Sequence, residues 1–412
     1  MEINSLFTLA LGLQSPWHVV NLDFKAADKR LDLLVDFSPG SEFPCPECGV
    51  LCGVHDAPKR EWRHLNFFEH TTFLTARQPR TKCDTHGVKT VPVPWGRPGS
   101  GFTLLMEALI LALARNGMTP TAIGRMIGEH DTRIWRVLEH YVDEARARAD
   151  FSRTTAVAVD ETSRAKGHVY VTLFADVEQA KVLFVTEGKD HGTVAAFKDD
   201  LVEHGGDPAK VADFSLDMSK AFIKGIGESF PDAHLTFDKF HIVKLLNEAV
   251  DEVRRSEQKG RPELKRSRYL WLKNEEDLNA EERDRFVALM DSTIHTARAY
   301  RLKVALQWIY RQPATYARGL LRRWCLAATI SQIPPIERVA RTIREHMDGV
   351  LRWFKSGVTN GLLEGMNSLV QAAKAKARGF RSARKMKTII YLLLGKLDYQ
   401  LPVVLPPGVH TK

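Results

Sequence analysis

The chain has few cysteines, five in 412 residues, and no apolar run near the ~20 residues that a membrane-spanning helix needs. The longest candidate, "LLMEALILALA" (104–114), is short and is interrupted by Glu107. The amino terminus, "MEINSLFTLALGL", opens with an acid where a secretory leader would carry a basic segment, so no leader is expected. Internal repeats and low-complexity tracts are also lacking, which excludes solenoids and fibrous classes. Four of the cysteines lie between Cys45 and Cys83 and the fifth, Cys325, is isolated. A disulfide framework would be spread along the chain, whereas a cluster favours a metal in a reducing compartment, here the cytoplasm. With 44% hydrophobic and 26% charged residues, the length predicts a globular protein of about two to four domains.

Acid is scarce in one place. Between 364 and 396 the sole acid is Glu364, against Lys374, Lys376, Arg378, Arg381, Arg384, Lys385, Lys387 and Lys396, in a chain of net charge +9. Such an excess serves a polyanion, and nucleic acid is the usual one, which places the protein at the nucleoid. On a helical wheel Glu364, Asn367, Gln371, Lys374 and Arg378 form one stripe. Leu362, Met366, Leu369 and Ala373 lie opposite, as the expected docking face. The plain reading is a surface helix with one solvated acid; the rest of the chain argues otherwise.

Residues 1–95 read as N-terminal strands ("WHVVNLDF", "RLDLLVDF") and a cysteine ribbon. Cys45-x2-Cys48 and Cys83-x2-His86 have the knuckle spacing by which two turns hold one tetrahedral, structural Zn²⁺, with Cys52 and His55 as alternatives to His86. "VPVPWGRPGSG" (91–101) reads as a linker. Residues 96–150 follow as a helix-turn-helix, with Arg133, Trp135 and Arg136 as candidate DNA contacts. Residues 151–240 show a βββαβαβ order, 241–345 are helical throughout, and 346–412 carry the Glu364 helix and a Pro-rich tail.

In a ribonuclease-H-like arrangement of that order, strand four lies parallel beside strand one. Asp160 in "VAVDETS" and Asp217 in "FSLDMSKAF" then meet at the strand ends. Close carboxylates repel unless a cation lies between them, and hard oxygen donors suit Mg²⁺. Glu364 is the expected third member, with Glu161, Asp176 and Asp213 as competitors.

These motifs, with "FDKFHIVKLLNEAVDEVRR" and "NGLLEGMNSLVQAAKAKARGFRS", closely resemble the DDE transposases of the ISL-three type of bacterial insertion sequence. The resemblance spans nearly the whole chain. It implies an α/β multidomain protein: a zinc ribbon, a helix-turn-helix, and a ribonuclease-H-like core with an all-α insertion. It also implies catalysis by Asp160, Asp217 and Glu364 on two Mg²⁺ ions, with Mn²⁺ able to substitute. Such an enzyme binds double-stranded terminal inverted repeats as at least a homodimer, hydrolyses the phosphodiester at each end and joins the 3′-hydroxyls to target DNA. Lys374, Lys376, Arg378, Arg381, Arg384 and Lys385 are the expected phosphate contacts, Asp238 and His241 the active-site support, and Trp271 a base-stacking candidate. His86 stands where that family pattern leads one to expect a fourth cysteine. The alternatives are a structure-selective DNA nuclease of the same fold and a non-catalytic DNA-binding regulator derived from a transposase.

Overall fold

Leu31, Leu33, Val35 and Phe37 are buried while Arg30, Asp32, Leu34 and Asp36 between them are not, the two-residue alternation of a strand with one face in a core. That strand, β2 (Arg30–Phe37), pairs antiparallel with β1 (Trp17–Lys25). The apolar opening of the chain, for which no element was expected, forms helix α1 (Ile3–Ala10). The computed structural model to which these elements belong describes residues 2–165, 167, 169–291, 294–356 and 361–402. The end of the Pro-rich tail and the first residue of the "NGLLEG" motif, Asn360, lie outside the described residues.

The chain divides into two compact units, one of residues 1–144 with 398–412 and one of residues 145–397. In the first, β3 (Glu42–Pro44), β4 (Leu51–Asp56), β5 (Lys59–Arg63), β6 (Thr71–Arg77), β7 (Arg80–Cys83) and β8 (Gly87–Thr90) complete two four-stranded sheets, ordered β1-β2-β6-β5 and β3-β4-β7-β8. Residues 91–101 are not the linker expected from their prolines and glycines. Val91, Val93 and Trp95 are buried, and the Trp95 ring meets Trp17 and Trp62 edge-on at 4.9 and 5.6 Å. Proline kept these residues out of a ladder, but alternate apolar side chains still filled the core.

Helices α2 (Leu104–Arg115), α3 (Pro120–Ile127) and α4 (Asp131–Ala147) follow. Thr119 caps α3 by accepting from the Ala122 amide, Pro120 opens it, and Gly128 closes it in the left-handed region (φ +74°). A Cβ on Gly124 would lie 2.5 Å from the Glu129 carbonyl, so the close α3–α4 turn requires glycine there. Glu107, which interrupts the apolar run of α2, is fully buried and held by Arg97 (3.0 Å), Ser100 (2.6 Å) and Tyr141 (2.6 Å).

The second unit is built on five strands, β9 (Ala156–Ala165), β10 (Val169–Asp176), β11 (Lys181–Glu187), β12 (Asp213–Leu216) and β13 (His234–Phe237). Their order is β11-β10-β9-β12-β13; β9, β12 and β13 are mutually parallel, and β10 is antiparallel to both its neighbours. Helices α5 (Gly192–Glu203) and α6 (Lys220–Ser229) connect the later strands. Val157 and Val159 enter the core shared with α5 and α6, while Ala158 enters the core on the other face.

A helical array follows: α7 (Lys239–Glu257), α8 (Arg268–Leu272), α9 (Ala280–Met290), α10 (His295–Ile309), α11 (Ala314–Ile330), α12 (Pro334–Glu345) and α13 (Met347–Ser356). It extends the first core through Leu246, Val250, Trp271, Leu321 and Ile336. Finally α14 (Gly361–Lys376) and α15 (Ala383–Leu394) cover the opposite face of the sheet with Leu363, Met366, Val370, Met386 and Ile390. Among the described residues no helix is long and apolar enough to cross a membrane.

Candidate active site and DNA-binding elements

The register of β12 against β9 pairs Asp213 with Ala156, Phe214 with Val157 and Ser215 with Ala158. Continued two residues, it brings Asp217, just past the end of β12, to the level of Asp160. The charges respond to this proximity. Burial pushes the Asp160 carboxyl above its ordinary value; the Glu161 amide pulls it down, and the Asp217 charge pushes it up again. Glu161 is likewise raised, by burial and then by Asp217. Asp217 itself accepts the Ser219 amide at 2.9 Å.

Glu364 sits in the first turn of α14, exposed, in a cleft with Phe240, His241, Lys244, Asn247 and Arg268. The oxygens of Asp160, Asp217 and Glu364 do not all fall within 4.8 Å of one another, as the donor atoms of the cysteine ribbon do. What joins α14 to the Asp160 strand is its polar stripe. Asn367 donates to Asp160 Oδ2 (2.6 Å), Gln371 to Thr162 Oγ1 (2.7 Å), and Lys374 to the Ser163 carbonyl (2.7 Å). The expected docking face was therefore misjudged. Leu363, Met366 and Val370 are buried, Leu369 is exposed, and the stripe thought to face DNA is turned to β9. Arg378 lies beyond the end of α14 in the left-handed region (φ +55°), so it does not continue that stripe.

Asp238 is fully buried and caps α7 by accepting the Phe240 amide. His241 Nδ1 lies 3.9 Å from Asp238 Oδ2, buried and without a hydrogen bond. Trp271 cannot stack on a base as expected: it is fully buried, and its Nε1 donates to Ser267 Oγ at 3.0 Å. Among the competing acids, Asp176 is buried under a turn, accepting from Thr154 and Gln179, and Asp213 pairs with Arg352 at 2.9 Å. Asp200, Glu203 and His204 also lie close enough to share an ion, but Arg146 already occupies Asp200 at 2.5 Å.

In the ribbon, Cys45, Cys48, Cys83 and His86 bring their donor atoms together. Cys48 Sγ lies 3.7 Å from Cys83 Sγ, and His86 Nδ1 lies 3.7 Å from Cys45 Sγ and 3.6 Å from Cys83 Sγ. Backbone amides of the two knuckles, Glu47 at Cys45 and His86 at Cys83, hold those two thiols below the ordinary range. Cys48, despite the Val50 amide, is pushed above it by burial and by the neighbouring Cys83 and Cys45 thiols. Cys52 is outside this set, with its thiol directed to the Val50 carbonyl at 3.4 Å.

The helix-turn-helix contacts divide. Trp135 is buried core and not a DNA contact. Arg133 is committed within the fold, to Glu129 (2.6 Å), to the Gly101 carbonyl (3.0 Å) and over the Phe102 ring (4.2 Å). Arg136 is exposed on α4. The amides Asn367 and Gln371 had been placed on the polar stripe without a role; their spacing of three and seven residues from Glu364 was the available signal.

Asp160 lies midway along β9 and not at its end as expected, and only Asp217 follows the end of its strand. With a cysteine ribbon and a helix-turn-helix, these acids on adjacent parallel strands are the parts of a DNA-processing enzyme. Residues 157–390 match the family model described as transposase of the ISL3 DDE type, and the chain belongs to that family. Residues 91–142 match the helix-turn-helix domain of transposase family ISL3, and residues 41–86 the zinc-finger of transposase IS204/IS1001/IS1096/IS1165. The chain is 27% identical over 438 residues to the transposase for insertion sequence element IS1557 of Mycobacterium tuberculosis, covering 96% of this chain and 97% of that one. It is 27% identical over 355 residues to the transposase for insertion sequence element IS1001 of Bordetella parapertussis, covering 82% and 85%. The protein is an insertion-sequence transposase.

Proposed function

We propose that the five-stranded sheet is a ribonuclease-H-like catalytic core, with the helices from α7 to α12 inserted before its last acidic helix. Asp160, Asp217 and Glu364 are its catalytic carboxylates. The observation that carries this reading is the parallel β9–β12 register, which aligns Asp217 with Asp160 while α14 is bonded to the same strand one turn from Glu364. Hard oxygen donors, Asp160 and Asp217 at one level of adjacent parallel strands, with burial and then the Asp217 charge raising the Asp160 carboxyl, fit a divalent cation. Mg²⁺, with Mn²⁺ in its place, supplies charge neutralisation for in-line displacement at phosphorus.

The chain's own groups bind and orient. Thr132 and Arg136 on the exposed side of α4 read end DNA, while Lys376, Arg381, Arg384 and Lys385 meet phosphates. His241, over the buried Asp238, borders the cleft of Glu364 as a support of the site. Cys45, Cys48, Cys83 and His86 hold a structural Zn²⁺. The enzyme acts on the two terminal inverted repeats of its element as at least a dimer, hydrolysing each end and transferring the 3′-hydroxyls to target DNA in the cytoplasm.

Asp160→Asn, Asp217→Asn and Glu364→Gln are each expected to abolish Mg²⁺-dependent end cleavage while leaving end binding intact. Near-normal cleavage by Glu364→Gln would remove Glu364 from the set. A strand-transfer assay on pre-cleaved ends separates this enzyme from a nuclease of the same fold, which would cut and not join.

A further inference from the structure

Two polar side chains of α14 reach β9 from successive turns, and they are satisfied differently. Gln371 is bonded at both ends of its amide: Nε2 donates to Thr162 and to the Ser163 carbonyl, and Oε1 accepts from Lys374 at 3.4 Å. Asn367 is bonded at one end only. Its Nδ2 donates to Asp160 Oδ2 at 2.6 Å, and its Oδ1 is buried with no hydrogen-bond partner. The orientation is chemically forced, because a carboxylate oxygen accepts and cannot face the amide oxygen. Asp160 Oδ1 meanwhile takes the Glu161 amide at 2.8 Å, so each carboxylate oxygen has a donor that fixes its direction.

A side chain present only to dock a helix is expected to satisfy both of its polar atoms, as Gln371 does; a buried amide oxygen left without a partner costs stability. We propose that Asn367 is a positioning residue for the reaction, holding the Asp160 carboxylate in the one orientation in which it receives the divalent cation. The proposal rests on the reading of Asp160 as a cation-holding carboxylate. Asn367 lies three residues from Glu364 on the same stripe, so a single helix both presents the third acid and sets the first. That juxtaposition requires α14 to keep one register on β9, which the burial of Leu363, Met366 and Val370 in one core with Ala158 supplies.

The test compares Asn367→Leu, which keeps the side-chain volume, with Gln371→Leu, which removes two docking bonds without touching Asp160. Binding of Mn²⁺ to the full-length, zinc-replete protein on end DNA is followed by the electron paramagnetic resonance signal of free Mn²⁺, with Asp160→Asn as reference. Asn367→Leu is expected to weaken Mn²⁺ binding roughly 10-fold, as removal of an outer partner of a ligand does, and Gln371→Leu to leave it unchanged. Thermal melting shows whether each variant folds, and Asn367→Ser serves if Asn367→Leu does not. Equal Mn²⁺ affinity in the Asn367 variant and wild type, or equal losses in the two leucine variants, overturns the positioning role while Asp160→Asn still loses the ion. Undiminished binding by Asp160→Asn overturns the metal reading itself, and the proposal with it.

Discussion

Gln371 donates to the Thr162 hydroxyl at 2.7 Å across 209 residues of sequence, and Lys374 adds a bond from Nζ to the next residue's carbonyl. These contacts turn the basic helix inward. The helix that carries the lone acid in its first turn is bonded through its middle to β9, and most of the exposed cations of the stretch come after it.

Lys374, bonded to the Ser163 carbonyl, is therefore expected to act in stability rather than in DNA binding. Lys374→Ala is expected to lower unfolding free energy by about 1–2 kcal/mol, the scale of a hydrogen bond from a charged donor, as read by urea denaturation. The salt dependence of end-DNA affinity should not change. Arg381→Ala, at an exposed position beyond the helix, is expected to flatten that dependence by about one unit in log affinity against log salt, with no change in stability.

The same division applies to the helix-turn-helix. Arg133→Ala removes the bonds to Glu129 and Gly101 and is expected to lower the melting temperature of the protein. Arg136→Ala is expected to leave melting unchanged and to narrow the affinity difference between terminal-repeat and random DNA. Competition titrations with both DNAs, beside melting curves, check the pair.

In the ribbon, Cys48→Ser, Cys83→Ser and His86→Ala should each release about one metal ion per chain and unfold residues around it, since the binding energy of a structural zinc is folding energy. Cys52→Ser should keep the ion. Elemental analysis of the purified variants decides it, and metal loss from Cys52→Ser would reverse the choice of fourth ligand.

Lys303 provides a pH signature for the second unit. Its ammonium is buried under the carbonyls of Trp271 (3.0 Å) and Leu272 (2.8 Å), and burial pushes it down to about 8 from the ordinary 10.5. Between those values the unfolded chain holds the proton and the folded chain does not, so stability rises with pH through that window and is lost as pH falls toward 8. Lys303→Met should remove this slope. Urea midpoints of both proteins from pH 7.5 to 10.5 measure the difference, and parallel curves would exclude Lys303 as its source.

Several features were legible because they are local. The period-two alternation of β2, the Thr119–Pro120 start of α3 and the paired knuckles of Cys45-x2-Cys48 and Cys83-x2-His86 depend on residues close in sequence. The order of strands and helices from 156 to 237 was likewise readable, and it sufficed to expect Asp217 beside Asp160. Burial of individual large side chains was not. Trp135 and Trp271 were read as DNA contacts, yet each is core, because an indole's fate depends on which distant apolar groups close over it.

The sequence by itself determined the ribbon, the order of strands and helices from 156 to 237 and the family. Tertiary structure decided which way α14 faces. Its wheel carries an apolar stripe and a polar one, and either can dock when the opposing surface is mixed. β9 presents Ala158 beside Asp160, Thr162 and the Ser163 carbonyl, so the helix buries Leu363, Met366 and Val370 and half-buries Asn367, Gln371 and Lys374. Those partners lie more than 200 residues away in the chain, and no local pattern encodes a bond that forms only when strand and helix meet.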